Sequence, residues 1–148
     1  MAETVQISNS QFFEEVARML SEGATVTIPT LGSSMLPFIK GGRDKVALRS
    51  PQGIRRGDIV LARLDGNRYV LHRIYRVSED RVTLMGDGNL QAVENCASCC
   101  VIGVAVKIIR GGKEVDCRSR KERLKAAIWR RLLPLRRYLL ACIRQTWR

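Results

Sequence analysis

Asp58-Ile59-Val60-Leu61-Ala62-Arg63-Leu64, then Asp65-Gly66-Asn67, then Arg68-Tyr69-Val70-Leu71-His72-Arg73-Ile74 is the stretch on which the fold turns. Two runs rich in β-branched, aliphatic and aromatic residues flank a three-residue cluster that favours positive φ, the pattern of a β-hairpin. The runs predict strands over Asp58–Leu64 and Tyr69–Val77. Working outward, Lys45–Leu48, Val82–Met85 and Val101–Ile109 read as further short strands, Ser78-Glu79-Asp80 as a second turn, and Thr25–Pro29 alternates like a strand. Ahead of them Phe12, Val16 and Leu20 recur every fourth residue. This spacing predicts a helix from about Asn9 to Ser21, opened by a weak capping box of Ser8 and Gln11 and stopped by Gly23. The expected fold class is mainly β (α+β), a small antiparallel domain fronted by a helix.

The 148 residues suffice for one domain with its own core. A net charge of +12 is concentrated at one end: Arg118–Arg148 holds eleven Lys or Arg against one acid, Glu122. The rest is nearly balanced, so the body offers no electrostatic reason to bind nucleic acid. The chain therefore divides into a body, residues 1–117, and a basic amphipathic helical tail, residues 118–148. In the tail Leu124, Ile128, Leu132, Leu135, Leu139, Ile143 and Trp147 mark one helical stripe, and Pro134 is expected to break the helix near Leu133.

Met1-Ala2-Glu3-Thr4 lacks the basic and apolar regions of a secretory signal, and the uncharged run Gly23–Ile39 is too short and too rich in Pro, Gly and hydroxyl residues for a spanning helix. The expected location is cytoplasmic, peripheral on the cytoplasmic face of the membrane. Five cysteines, Cys96, Cys99, Cys100, Cys117 and Cys142, show no framework spacing and are expected to be reduced. Cys96-x-x-Cys99 lacks two further ligands, so neither a metal nor a cofactor is expected.

His72 is the single histidine. A serine hydroxyl is scarcely ionised at neutral pH and needs a base to become a nucleophile, a task suited to imidazole. Mid-strand placement would hold the His72 ring rigidly. Ser34 follows Gly32-Ser33 and precedes Met35-Leu36-Pro37, a turn that would present both its hydroxyl and its own N–H, the latter as an oxyanion donor. Asp87, in Gly86-Asp87-Gly88-Asn89, is the candidate third member that would orient the imidazole.

Gly32-Ser33-Ser34-Met35-Leu36-Pro37, Gly57-Asp58-Ile59-Val60, His72-Arg73-Ile74 and Gly86-Asp87-Gly88-Asn89 follow one another in this order. Over roughly Thr25–Ile109 the chain resembles the signal peptidases and their relatives, which include LexA-type self-cleaving repressors. Histidine in the third box makes it similar to the Ser-His branch. The resemblance implies a coiled β-fold, a Ser34–His72 pair supported by Asp87, and cleavage of an extended peptide or precursor protein along a strand edge. The position two before the nucleophile, serine in some relatives, is Gly32, which leaves the oxyanion hole to Ser33 and the Ser34 backbone.

The expected function is thus a serine endopeptidase working through an acyl-enzyme. The alternative is a non-catalytic regulatory module on the same fold acting through its tail. Self-cleavage is less favoured, because the LexA group uses lysine as base. For Arg118–Arg148 the expected partner is an anionic membrane surface or a partner protein, ahead of packing against the body; nucleic acid is disfavoured for want of stacking or base-reading motifs.

Overall fold

In the computed structural model, which describes residues 9–146, the chain runs α1 (Asn9–Ser21), β1 (Val26–Pro29), β2 (Lys45–Arg49), β3 (Ile59–Leu64), β4 (Arg68–Val77), β5 (Arg81–Met85), β6 (Glu94–Ala97), β7 (Val101–Arg110), β8 (Lys113–Asp116), α2 (Arg120–Arg131) and α3 (Arg136–Thr146). The hairpin forms as its sequence dictates. Leu64 pairs with Arg68 across a tight turn in which Gly66 and Asn67 both take positive φ, at 75° and 56°. Ser8, the proposed helix cap, and Trp147, the end of the tail stripe, lie outside the described residues.

All eight strands join one antiparallel sheet in the order β1-β2-β7-β3-β4-β5-β6, with β8 also on β7. Val104 pairs with both Arg49 and Val60, so β2 and β3 occupy opposite edges of β7 and make it the spine. Register shifts at Ala47/Leu48, Leu61/Ala62 and Ile74/Arg76 curl the sheet. Its central strand, β3, is buried on both faces. Ile59 and Leu61 join the core formed with α1, β1 and β2, whereas Val60, Ala62 and Leu64 join a second core with Ile74, Val82, Leu84 and Val101. This explains why β3 is an almost unbroken apolar run rather than an alternating one.

The strand β6 and the short β8 were not expected from the sequence. Glu94-Asn95-Cys96-Ala97 is a poor strand former by composition, and it is extended because β5 presents an open edge to it. On α1, Val16 and Leu20 are buried as expected, but Phe12 is partly exposed and its neighbour Phe13 stacks on Tyr69 at 4.9 Å instead.

The tail breaks at Leu133–Leu135, where Pro134 sits, and Ser119 caps α2 by accepting from the Glu122 amide. Its helices dock on the body through Trp129 and Leu140, which lie off the aliphatic stripe, and through Leu132 and Leu139 of the stripe, which are partly buried beside them. Trp129 and Leu140 pack with Leu36, and the Trp129 indole N–H donates to the Asp87 carbonyl at 2.8 Å. Leu124, Ile128 and Leu135 of the stripe point outward, 62%, 50% and 52% exposed, with Tyr138 beside them at 67%. One indole decides the orientation: it buries more area than any aliphatic side chain and its N–H finds a buried acceptor. No described helix is long and apolar enough to cross a membrane. Trp129→Ala should lower unfolding free energy by about 3–5 kcal/mol in urea titration, whereas Leu124→Ala, on the outward face, should change it by less than about 0.5 kcal/mol.

Candidate active site

Register on β4 decides which groups meet. Neighbouring residues of a strand face opposite ways, so His72 and Arg73 diverge. His72 pairs with Val60 and shares its face with Ile74, which stands opposite Leu84, which in turn stands opposite Glu94. This parity brings the Glu94 carboxylate to the imidazole, and His72 Nδ1 lies 3.0 Å from Glu94 Oε2. An ionised carboxylate only accepts, so a neutral imidazole bonded to it carries its proton on Nδ1 and presents a lone pair at Nε2.

Asp87 is corrected by the same rule. Arg73 stands opposite Met85, and Asp87, two residues on, continues that face. The Asp87 carboxylate takes Arg73 Nε at 2.8 Å and Nη2 at 2.7 Å, while Arg73 Nη1 donates to the Gly57 carbonyl at 2.8 Å. The carboxylate within hydrogen-bond reach of His72 is therefore Glu94. It escaped the sequence reading because β6 carries no apolar alternation to announce it; only the β5–β6 register could have found it.

Asp87 still bears on Ser34, through its neighbours. The Gly88 amide donates to the Ser34 carbonyl at 2.8 Å. A Cβ on Gly86 would fall 2.4 Å from that same carbonyl oxygen, and one on Gly88 would fall 2.4 Å from the Ser33 carbonyl oxygen. The two glycines are needed because the Ser33-Ser34 backbone lies directly on them. On its other side this turn is held by Asp44, which is fully buried. Its carboxylate accepts the Lys40 amide and binds Arg43, and its carbonyl accepts the Thr30 hydroxyl. Burial alone would raise the Asp44 pKa, but Arg43, the Lys40 amide and Arg110 outweigh it and hold the group below the usual carboxylate range.

Ser34 and His72 line one cavity of about 250 Å³, walled further by Ile28, Leu31, Met35, Leu61 and Tyr69. Ser34 is half-buried and His72 buried. Both residues thus border one cavity, and no direct hydrogen bond joins them among the described residues. Such contacts are often loose before substrate arrives. Ser33 is exposed and does not line the cavity. Among the described residues the Ser34 and Met35 amides donate to no backbone carbonyl, which leaves both N–H groups open. Cys117 offers no rival nucleophile, since burial pushes its thiol up to about 12.

Asp87→Asn should cost about 3–5 kcal/mol of stability by urea titration, because Arg73 would be left buried without a counter-charge. Glu94→Gln, which keeps an acceptor near His72, should cost less than about 1.5 kcal/mol.

With this geometry in place, comparison with known families gives one result. The family model described as Peptidase S24-like matches residues 3–106, ending within β7 and leaving the tail outside. Among curated proteins no match is found.

Proposed function

Because the chain belongs to the Peptidase S24-like family, we propose that it is a serine endopeptidase with Ser34 as nucleophile, His72 as general base and Glu94 as the group that orients the base. The observation that carries this reading is the Glu94–His72 hydrogen bond at the single imidazole of the chain, beside a cavity that Ser34 also lines. A binding module would need neither that orientation nor the open hydroxyl.

In this reading Ser34 Oγ attacks the peptide carbonyl as His72 Nε2 takes its proton. The developing imidazolium is stabilised by Glu94. The oxyanion rests on backbone N–H groups of the Ser34 turn. The C–N bond then breaks as His72 passes the proton to the departing amine, leaving an ester on Ser34. A water molecule, deprotonated by the same imidazole, attacks the ester and releases the acid. The substrate is an extended peptide. Two unpaired edges flank the cavity among the described strands: the outer edge of β1, and the Arg68–His72 half of β4, beyond the reach of β5. A peptide laid between them gains ladder hydrogen bonds, and the apolar walls favour a small aliphatic side chain beside the scissile bond. New termini formed in a peptide library, read by mass spectrometry, test this. Wild type should generate cleavages that Ser34→Ala and His72→Ala each reduce at least 1,000-fold, a magnitude typical of residues that act as a unit. Cleavages shared equally by wild type and Ser34→Ala would end the assignment.

A second reading concerns the tail and is supported by its outward face. Leu124 and Ile128, one turn apart, Leu135 at the break and Tyr138 beyond it are exposed among basic side chains. That surface suits an anionic lipid interface, where each basic residue contributes about 1 kcal/mol. In flotation with phosphatidylglycerol vesicles, Leu124→Ser with Ile128→Ser should lose most of the bound protein; undiminished flotation would refute the reading.

A further inference from the structure

On the far side of β4 from His72, α2 and the start of α3 close over a second cavity of about 430 Å³. Six arginines line it, Arg56, Arg73, Arg123, Arg130, Arg131 and Arg136, and the single carboxylate among the lining residues is Asp87. Two of the six are neutralised locally, Arg73 by Asp87 at 2.7 Å and Arg123 by Asp58 at 3.3 Å. Arg56, Arg130, Arg131 and Arg136 have no carboxylate partner among the described residues.

Two of these four are nevertheless fixed in place. Arg130 lies over the Tyr75 ring at 3.9 Å and donates to the Tyr75 carbonyl. Arg136 lies over Trp129 at 5.3 Å and donates through Nη1 to the Asn89 carbonyl at 3.1 Å. These contacts orient guanidinium groups without cancelling their charge. Arg136 is only 3% exposed, and its buried Nε has no hydrogen-bond partner among the described residues. Burial pulls its pKa down, the direction expected of a cation short of counter-charge. A buried donor left over on a buried cation is costly in the absence of a ligand, and it is what a bound anion would satisfy.

We propose that this cavity binds a phosphate ester, with Arg130, Arg131 and Arg136 on the phosphate. The guanidinium fork matches tetrahedral phosphate oxygens, and several such forks around one point select a multiply charged anion over a carboxylate. Met85 and Ala126 add an apolar wall, which suits an esterified phosphate better than the bare ion. The ester reaches the site either as a soluble metabolite or as a lipid headgroup. This site is independent of peptide cleavage, and Ser34→Ala should bind the same ligand equally well.

Calorimetric titration of the full chain with pyrophosphate and with glycerol phosphate, at constant ionic strength, tests the soluble source. Co-sedimentation with phosphatidic acid vesicles, against phosphatidylcholine vesicles, tests the lipid source. Saturable binding in either arm should weaken at least tenfold in Arg136→Met, and the vesicle arm should be competed by pyrophosphate. Arg136→Met should also melt no lower than wild type without ligand and lose the rise in Tm that the ligand gives. The pair Arg56→Gln and Arg131→Gln, at exposed positions, should weaken binding with no loss of folding, whereas Arg137→Gln, outside the cavity, should leave it unchanged. Binding in neither arm overturns the proposal, as does binding that Arg137→Gln reduces as much as the cavity variants do.

Discussion

Side chains at adjacent positions of a β-strand leave it in opposite directions, and on β4 this places an imidazole and a guanidinium back to back. His72 faces the second core and reaches Glu94; Arg73 faces the other way and reaches Asp87. The Glu94 and Asp87 carboxylates are thereby kept apart, one at the imidazole and one at the guanidinium. The sheet itself is the insulator: one face carries the imidazole, and the other carries the ion pair whose Asp87 lies between the glycines that meet the Ser33-Ser34 backbone.

That division also gives the fourth sequence box its physical meaning. Gly86 and Gly88 are small because the Ser33-Ser34 backbone rests on them, and Asp87 between them is held by Arg73 and by the Trp129 indole, which takes its carbonyl. The Gly88 amide then holds the Ser34 carbonyl. A chain of contacts therefore leads from the tail, through the turn after β5, to the serine. The tail is joined to the support of the site as well as to the body.

Much of this was legible before any coordinates. The hairpin around Gly66, the helix Asn9–Ser21 and the strands β2, β3, β4, β5 and β7 follow from local signals strong enough to act alone. Ser34 and His72 stood out because one chemistry needs both. Three features were hidden for identifiable reasons. Glu94 lies on a strand with no pattern of its own, created by the open edge of β5. Asp87 was assigned to the wrong neighbour because strand parity becomes readable only once the register between β4 and β5 is known. In the tail, the periodic aliphatic stripe suggests a surface for a membrane or partner protein, and it gives no sign that Trp129, at a different phase, docks on the body with Leu140 while Leu132 and Leu139 of the stripe are drawn in beside it. Periodicity reports an apolar face, and it does not report which of two such faces finds a partner.

The central claim is that Glu94 fixes the tautomer of His72 and leaves Nε2 ready to accept the Ser34 proton. Since the chain has one histidine, long-range proton–nitrogen NMR on tag-free protein reads that ring without ambiguity. The account predicts a neutral imidazole protonated at Nδ1, shifting toward the mixed-tautomer pattern in Glu94→Ala. A ring protonated at Nε2 in the wild-type protein, or a tautomer indifferent to the loss of Glu94, would contradict it.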